Sequence, residues 1–189
     1  METALEAIFK KAPTDPVFRA RLRLIVEKLV PGWHVPMMND RPRNQAYEAA
    51  IKRAVSGTHV LDIGTGAGLL SLMAARSGAR AVTTCEMVRT VAGRAQEIVQ
   101  KNGFAERITV VARKSTDVRI GVEMAARADV LISEILSSDL LGEEALPSIE
   151  DAKARLIKPG ARIIPAASAL RGMIVGGRTL ELQSHVGTV

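Results

Sequence analysis

A strand-like segment followed by a glycine-rich turn is the part of this sequence best suited to binding a ligand. Within residues 60–72, Asp62 precedes glycines at alternate positions, Gly64, Gly66 and Gly68, and an apolar helical pattern follows. This order predicts a strand, a tight turn and a helix start, the corner at which doubly wound α/β sheets bind nucleosides or phosphates. Glycine suits the turn because the backbone needs positive φ there and because a ligand must approach closely.

The glycine spacing distinguishes between ligand classes. A dinucleotide fingerprint has the order G-x-G-x-x-G, but Gly68 comes one residue early for it, and Leu69 stands where the third glycine is expected. Asp62 disfavours a pyrophosphate and suits a cationic or hydroxylated ligand. The order acid-x-Gly-x-Gly-x-Gly is typical of class I S-adenosylmethionine (SAM) methyltransferases, whose product is S-adenosylhomocysteine. The alternative is a turn that only allows a helix to pack on a sheet.

Acids end two further predicted strands. Residues 81–86 read as a strand ending in Glu86, and one βαβ crossover places that carboxylate beside the glycine turn, where it can bind both ribose hydroxyls. Glu134 ends a later strand, and a loop that folds back brings Glu143 opposite it. Two facing carboxylates match the N–H donors of a guanidinium group. The alternatives are a solvated Glu86 and, for Glu143, the acidic start of a helix.

The elements that position these residues alternate along the chain. Their alternation predicts an α/β fold with a doubly wound, mostly parallel sheet and N-terminal helices. Taken with the glycine pattern, this fold resembles the Rossmann-like fold of class I SAM methyltransferases. The predicted strands are 58–62, 81–86, 107–112, 129–133, 161–164 and 166–175, with a turn at Pro159-Gly160. The predicted helices are 3–12, 16–30, 45–54, 68–77, 88–102, 119–127 and 144–157, with 33–44 irregular. We expect an N-terminal cofactor-capping part (1–44), a SAM-binding core (45–165) and a C-terminal strand or tail (166–189).

Composition excludes several classes of protein. The chain has 189 residues, 47% hydrophobic, and a single cysteine, Cys85, so it has no internal disulfide or cysteine metal cluster, and its three histidines lack metal-ligand spacing. We expect a cytoplasmic protein without a resident metal, since the sequence shows neither a membrane span nor a signal peptide. The net charge of +6 allows RNA as a partner, but the basic residues are dispersed and aromatic residues make up only 3%.

The sequence resembles the protein arginine methyltransferases, most closely the divergent group with a Trp-His-x-x-Met segment before the core. The likeness covers about residues 30–175. It is carried by 33–44, which begins Trp33-His34 and includes Met37 and Arg43, and by 60–72, 85–87, 114–117, 133–147 and 159–173. The glycine turn is common to the whole methyltransferase superfamily, whereas the spacing of Glu134 and Glu143 is more specific to this family.

The resemblance implies roles for individual residues. Glu134 and Glu143 correspond to the family's double-glutamate loop, which grips the substrate guanidinium, and Arg43 to the arginine that pairs with the SAM carboxylate. His34 and Met37 correspond to residues that line the cofactor and substrate pocket, Met37 on the substrate side. Gly64 and its neighbours correspond to the cofactor-binding turn, and Glu86 to the acid that binds the ribose. Ser115 and Thr116 correspond to residues that contact the adenine, although many members have glutamate at the position of Thr116.

The resemblance also leaves alternatives open. Family members continue after the core into a β-barrel domain, whereas here the sequence has room for one strand pair after Pro165. The resemblance therefore implies a catalytic core without the barrel, which a homodimer or a partner subunit would replace. The expected activity is methyl transfer to arginine in a protein. The alternatives are a small-molecule or RNA acceptor, or a SAM-binding domain without catalytic activity.

Overall fold

The computed structural model describes Pro16, residues 34–137, 140, 142 and 144–177. Apart from Pro16, the helices predicted at 3–12 and 16–30 lie outside these residues. The described elements, in chain order, are α1 (His34–Met38), α2 (Arg41–Lys52), β1 (His59–Ile63), α3 (Leu69–Arg76), β2 (Ala81–Cys85), α4 (Arg89–Lys101), β3 (Ile108–Val111), a 3-10 helix (Ser115–Asp117), β4 (Ala128–Ser133), α5 (Ala145–Arg155) and β5 (Ile157–Ile164).

The five strands form one sheet in the order β3-β2-β1-β4-β5, and every neighbouring pair is parallel. This confirms the predicted α/β fold. Successive residues of β1 face different core clusters: Val60 packs with residues of α3 and α4, and Leu61 packs with residues of α5. Both faces of the sheet are therefore covered, as expected where helical crossovers connect parallel strands.

Two predictions about helices are wrong. Residues 119–127 form turns with an isolated bridge between Ile120 and Met124, because Gly121 adopts φ 84° and Met124 is buried in the core. The segment predicted to be irregular at 33–44 contains α1 and the start of α2. Asp40 caps the N-terminus of α2, because its side chain accepts a hydrogen bond from the Arg43 backbone N–H at 3.1 Å.

The C-terminal strands also differ from the prediction. β5 begins at Ile157, and the predicted Pro159-Gly160 turn is present as an irregularity inside it, since Ala128 pairs with Ile157 but Val130 pairs with Arg162. Residues 166–175, predicted as a strand, have no regular secondary structure. The prediction is wrong because the side chains of these residues are exposed and no strand in the described part of the chain pairs with them.

The chain divides into two compact units, Met1–Ala46 and Tyr47–Val189. The sheet and the helices α3 to α5 belong to the second unit. Among the residues described above, no helix has the length and apolar character needed to cross a bilayer.

Candidate functional site

Three strands of the sheet end at the same level. β1 is central, and its last residue, Ile63, is in register with the last residues of β2 and β4. The residues that follow on the three strands are Gly64, Glu86 and Glu134. The glycine turn is therefore flanked by one carboxylate-bearing strand end on each side, at the edge of the sheet where open α/β folds bind ligands.

The turn after β1 has the backbone geometry that its glycines predict. Gly64, Gly66 and Gly68 have φ of 89°, 51° and 86°. The N–H groups of Gly64 and Thr65 both donate to the Cys85 carbonyl at 3.0 Å, which fixes the turn to the end of β2. A side chain at Gly64 has no room, because a Cβ atom there would lie 2.6 Å from Cγ2 of Ile135.

Glu86 contacts the glycine turn directly. Its Oε2 accepts a hydrogen bond from the Gly66 N–H at 3.1 Å, and its Oε1 accepts one from the Val88 N–H at 2.9 Å. The structure thus brings Glu86 to the turn, as the crossover argument predicts. A carboxylate has lone pairs for about four hydrogen bonds, so both oxygens keep capacity for hydroxyl donors. The ribose-binding role of Glu86 stays a prediction.

Asp62 lies beneath the turn and is completely buried. Its Oδ2 accepts hydrogen bonds from Ser71 Oγ at 2.5 Å and from Thr84 Oγ1 at 3.0 Å, and the Thr84 hydroxyl also contacts the Thr65 hydroxyl at 2.6 Å. Asp62 therefore ties together β1, β2, α3 and the turn. Among the residues that the structure describes, its Oδ1 has no hydrogen-bond partner. Sequence reasoning missed Ser71 and Thr84, because a hydroxyl in a helix or strand has many alternative roles.

Burial raises the pKa of Asp62 from its ordinary 3.8 to about 6, although the Ser71 and Thr84 hydroxyls act in the opposite direction. Between these values the folded protein binds the proton more tightly than the unfolded chain, so the free energy of unfolding falls as pH rises from about 4 to 6. At 1.36 kcal/mol per pKa unit, the loss is roughly 3 kcal/mol.

Asp62→Asn is expected to remove this pH dependence. Urea unfolding from pH 3 to pH 7 measures it: relative to the Asn variant, the wild type should lose roughly 3 kcal/mol across that range. Glu106→Gln, at an exposed acid before β3, serves as the control and should leave the wild-type profile unchanged. A constant difference between wild type and Asp62→Asn at every pH would contradict the raised pKa.

The strand end that carries Glu134 is anchored by a tyrosine. Glu134 is half-buried and follows Ser133, whose carbonyl accepts a hydrogen bond from the Tyr47 hydroxyl at 3.0 Å. Sequence reasoning missed Tyr47, because nothing in its local pattern identifies a partner on a distant strand. Glu143 lies outside the described residues, so its predicted position opposite Glu134 stays a prediction. Nearer the loop's start, the Ser137 hydroxyl accepts the Gly142 N–H at 2.9 Å.

The turn predicted to contact adenine follows β3. Ser115 is buried and Thr116 is exposed in the 3-10 helix. Their backbone carbonyls accept hydrogen bonds from Arg155, at 3.4 Å and 3.0 Å. Arg155 is a further residue that the sequence did not reveal, because it is far along the chain and has the ordinary appearance of a basic residue in the last turn of a helix.

Three predicted site residues belong to the first unit. His34 begins α1, and Met37 is half-buried on the same helix. Arg43 lies on α2, where its guanidinium donates to Asn44 Oδ1 at 2.8 Å and to the Met37 carbonyl at 3.5 Å. These contacts hold Arg43 and Met37 together, and their predicted roles toward the cofactor and substrate stay predictions.

Cysteine and metal chemistry find no support in the described part of the chain. Cys85 is buried, and burial together with the nearby Asp62 and Glu86 charges raises the pKa of its thiol to about 12, so the thiolate nucleophile is not formed near neutral pH. In the same residues, no group of three or more histidine, cysteine, aspartate or glutamate side chains could hold a metal ion.

The residues around the turn fit a nucleoside cofactor that carries positive charge. The positive φ angles keep the turn free of side chains, which allows close approach to its backbone. The carboxylates of Asp62 and Glu86 supply negative potential near that backbone, and Oδ1 of Asp62 lacks a hydrogen-bond partner among the described residues. A pyrophosphate would be repelled by both groups, whereas a sulfonium or a pair of ribose hydroxyls would be attracted.

Comparison with known proteins agrees with this geometry. The family model described as "Ribosomal protein L11 methyltransferase (PrmA)" matches residues 45–166. An arginine N(omega)-methyltransferase of Streptomyces achromogenes is 41% identical over 165 residues, covering 87% of this chain and 46% of that protein. A protein arginine N-methyltransferase 7 of Drosophila grimshawi is 40% identical over 137 residues, covering 69% of this chain and 20% of that protein.

A solved structure extends the comparison to the fold. The Trypanosoma brucei PRMT1 enzyme–prozyme heterotetrameric complex with AdoHcy aligns with a TM-score of 0.65 and 33% identity, over 72% of this chain and 43% of that one. The chain thus spans less than half the length of each of these relatives.

The parallel sheet, the strand order and the glycine turn define a class I SAM-dependent methyltransferase fold. Within that class, the chain belongs to the PrmA-type methyltransferase family, and the relatives described above are arginine methyltransferases.

Proposed function

We propose that this chain is the catalytic core of a SAM-dependent methyltransferase whose acceptor is a guanidinium nitrogen of arginine. The observation that carries the proposal is the common level of three strand ends, with Glu86 on one side of the glycine turn and Glu134 on the other. In this proposal, Glu86 binds the cofactor ribose and Glu134 binds a cationic acceptor.

The proposed chemistry depends on positioning. SAM supplies an electrophilic sulfonium methyl group when bound. The carboxylates of Glu134 and Glu143 accept guanidinium N–H groups, fix the plane of the acceptor and concentrate its positive charge on the nitrogens that they contact. The remaining nitrogen then presents its lone pair to the methyl group. A nitrogen–carbon bond forms as the methyl–sulfur bond breaks, which leaves S-adenosylhomocysteine, and the proton that this nitrogen loses passes to water. Holding two reactants in this orientation accounts for most of the expected rate enhancement.

The family resemblance suggests a role for each of the other predicted site residues. By that resemblance, Arg43 pairs with the carboxylate of SAM, and Ser115 and Thr116 contact its adenine. His34 corresponds to a residue that contacts the cofactor, and Met37 to one that contacts the acceptor. Family resemblance supports these roles, and each is open to test by substitution and cofactor binding.

The acceptor has two candidate forms. The Drosophila relative is named a protein arginine methyltransferase, which supports arginine within a protein. The Streptomyces relative, which covers more of this chain, is named an arginine N(omega)-methyltransferase, which supports free arginine. An RNA or other small-molecule acceptor is a weaker alternative. The heterotetrameric enzyme–prozyme complex of the trypanosome relative supports a partner subunit. A homodimer and a cytoplasmic location stay predictions.

Glu86→Gln tests the cofactor half of the proposal. The glutamine amide keeps only one oxygen, so its NH2 group would face either the Gly66 or the Val88 N–H, donor against donor. The substitution also removes the negative charge that favours ribose hydroxyls. We expect the affinity for S-adenosylhomocysteine, measured by calorimetry, to fall at least about tenfold, or about 1.4 kcal/mol.

Glu106→Gln is the matched control, because Glu106 is an exposed glutamate that precedes β3, at the N-terminal ends of the strands and away from the glycine turn. It should bind S-adenosylhomocysteine with wild-type affinity. Equal affinities for wild type and Glu86→Gln would remove Glu86 from the cofactor site, and a wild-type chain that does not bind the ligand would overturn the proposed function.

A further inference from the structure

Arg155, near the end of α5, makes an unusual set of contacts with backbone carbonyls. Its Nη1 donates to the Val118 carbonyl at 2.9 Å, and its Nη2 donates to the carbonyls of Thr116 at 3.0 Å and Ser115 at 3.4 Å. Its Nε and Nη2 also donate to the two Asp151 carboxylate oxygens, at 2.7 and 2.6 Å. The planar guanidinium therefore joins α5 to one short turn through a fixed fork of donors.

The turn that Arg155 holds lies outside the strands and is short. Within it, the Asp117 N–H donates to the Lys114 carbonyl at 3.0 Å, and the Val118 N–H donates to the Ser115 carbonyl at 3.1 Å. A second link to the start of α5 is the ion pair between Lys114 and Glu144, 2.5 Å between Nζ and Oε2. Because that pair is exposed, it contributes little on its own, and the Arg155 fork is the principal clamp.

The Ser115–Asp117 turn lies near the carboxyl ends of the strands, where open α/β sheets bind ligands. The last residues of β2 and β3, Cys85 and Val111, are in register, and the Glu86 N–H donates to the Val111 carbonyl at 3.0 Å. Glu86 is thus flanked by the glycine turn on the β1 side and by the chain that leads into the Ser115 turn on the β3 side. A nucleoside held by Glu86 through its ribose therefore has its base within reach of that turn.

We propose that Arg155 is a positioning residue for the cofactor: it holds the Ser115–Asp117 turn in the shape that recognises the adenine of SAM, without touching SAM itself. The inference rests on the proposed function and adds to it a residue that acts through backbone carbonyls. Since α5 also follows the loop that contains Glu143, the clamp links the cofactor turn to the helix that leads away from the acceptor site.

The test compares Arg155→Met and Arg155→Lys with Arg127→Met in the full chain. Arg127 is a matched control, because it also donates to carbonyls around the end of α5, those of Ala154 at 3.0 Å and Ile157 at 3.2 Å. Unlike Arg155, it precedes β4, at the N-terminal ends of the strands and away from the Ser115–Asp117 turn. Calorimetry measures affinity for S-adenosylhomocysteine and for S-inosylhomocysteine, in which the adenine amino group is replaced by oxygen. Hydrogen exchange of the amides of residues 115–118 in the free proteins measures the clamp itself.

Arg155→Met should bind S-adenosylhomocysteine about tenfold more weakly than the wild type and should discriminate less against the inosine analogue, with faster exchange at residues 115–118. Arg155→Lys keeps the charge and the contact with Asp151 but lacks the fork, so it should recover only part of the affinity. Arg127→Met should keep wild-type affinity and discrimination.

Three results would overturn the inference. The first is wild-type affinity and discrimination in Arg155→Met. The second is an equal loss of affinity for both ligands in Arg155→Met and Arg127→Met, which would indicate general destabilisation. The third is faster exchange at residues 115–118 with unchanged discrimination, which would separate the clamp from adenine recognition. A wild-type chain that binds neither ligand would instead overturn the proposed function, and the inference with it.

Discussion

Glu134→Gln should abolish methyl transfer while leaving the affinity for S-adenosylhomocysteine nearly unchanged. The substitution keeps the shape of the side chain but removes the charge that aligns and polarises a guanidinium group. We expect a loss of at least about 10²–10³-fold in kcat, the range found when one oriented electrostatic contact to a reacting group is removed. Single-turnover transfer from methyl-labelled SAM and calorimetry with S-adenosylhomocysteine measure the two effects separately.

Glu144→Gln provides the matched control for that experiment. Glu144 immediately precedes α5, the helix that follows the loop containing Glu143, but its carboxylate pairs with Lys114 on the protein surface. We expect near-wild-type transfer from this variant. If Glu134→Gln lost S-adenosylhomocysteine affinity as well as transfer, Glu134 would belong to the cofactor site, and the proposed guanidinium clamp would be wrong.

Gly64→Ala should destabilise the fold and eliminate cofactor binding. An alanine at φ 89° has a backbone penalty of about 1–2 kcal/mol, and its Cβ would lie 2.6 Å from Cγ2 of Ile135. That methyl group is attached to the branched Cβ of isoleucine, so it cannot move away as the end of a flexible side chain can. With about 1–3 kcal/mol for overpacking, the expected loss in the free energy of unfolding is about 2–5 kcal/mol, measurable by urea denaturation.

Two further variants separate the two causes. Gly57 has φ 70°, and a methyl group added there would meet no atom within 4 Å, so Gly57→Ala should show the backbone penalty alone. Adding Ile135→Ala to Gly64→Ala removes the clashing methyl group, so the two changes should be non-additive, with the double variant more stable than the sum of the single losses predicts. Equal losses for Gly57→Ala and Gly64→Ala would show that the contact with Ile135 has no importance.

The sequence predicts the sheet and the glycine corner because those features have strong local signals. The alternate glycines Gly64, Gly66 and Gly68 demand positive φ, and the structure has it at each of them. The position of Glu86 beside the turn follows from one βαβ crossover. The acidic strand end at Glu134 is equally local, since a buried apolar strand precedes it.

Features that depend on distant partners were not predicted. The apolar residues of 119–127 suggest a helix, but Met124 is buried in the core and Gly121 bends the chain. The roles of Tyr47 and Arg155 depend on carbonyls 86 and 37–40 residues away along the chain. Side chains that bind the backbone of another element leave no periodic pattern, so only the folded chain reveals them.

Methylation of arginine is best tested by methyl transfer from methyl-labelled SAM by the wild-type chain, with free L-arginine and an arginine-containing peptide as separate acceptors. A lysine-containing peptide and RNA serve as comparison acceptors, and mass spectrometry locates the methyl group. We expect a methyl group on a guanidinium nitrogen of at least one arginine acceptor. Label only in the lysine peptide or RNA, or S-adenosylhomocysteine binding with no transfer to any acceptor, would contradict it.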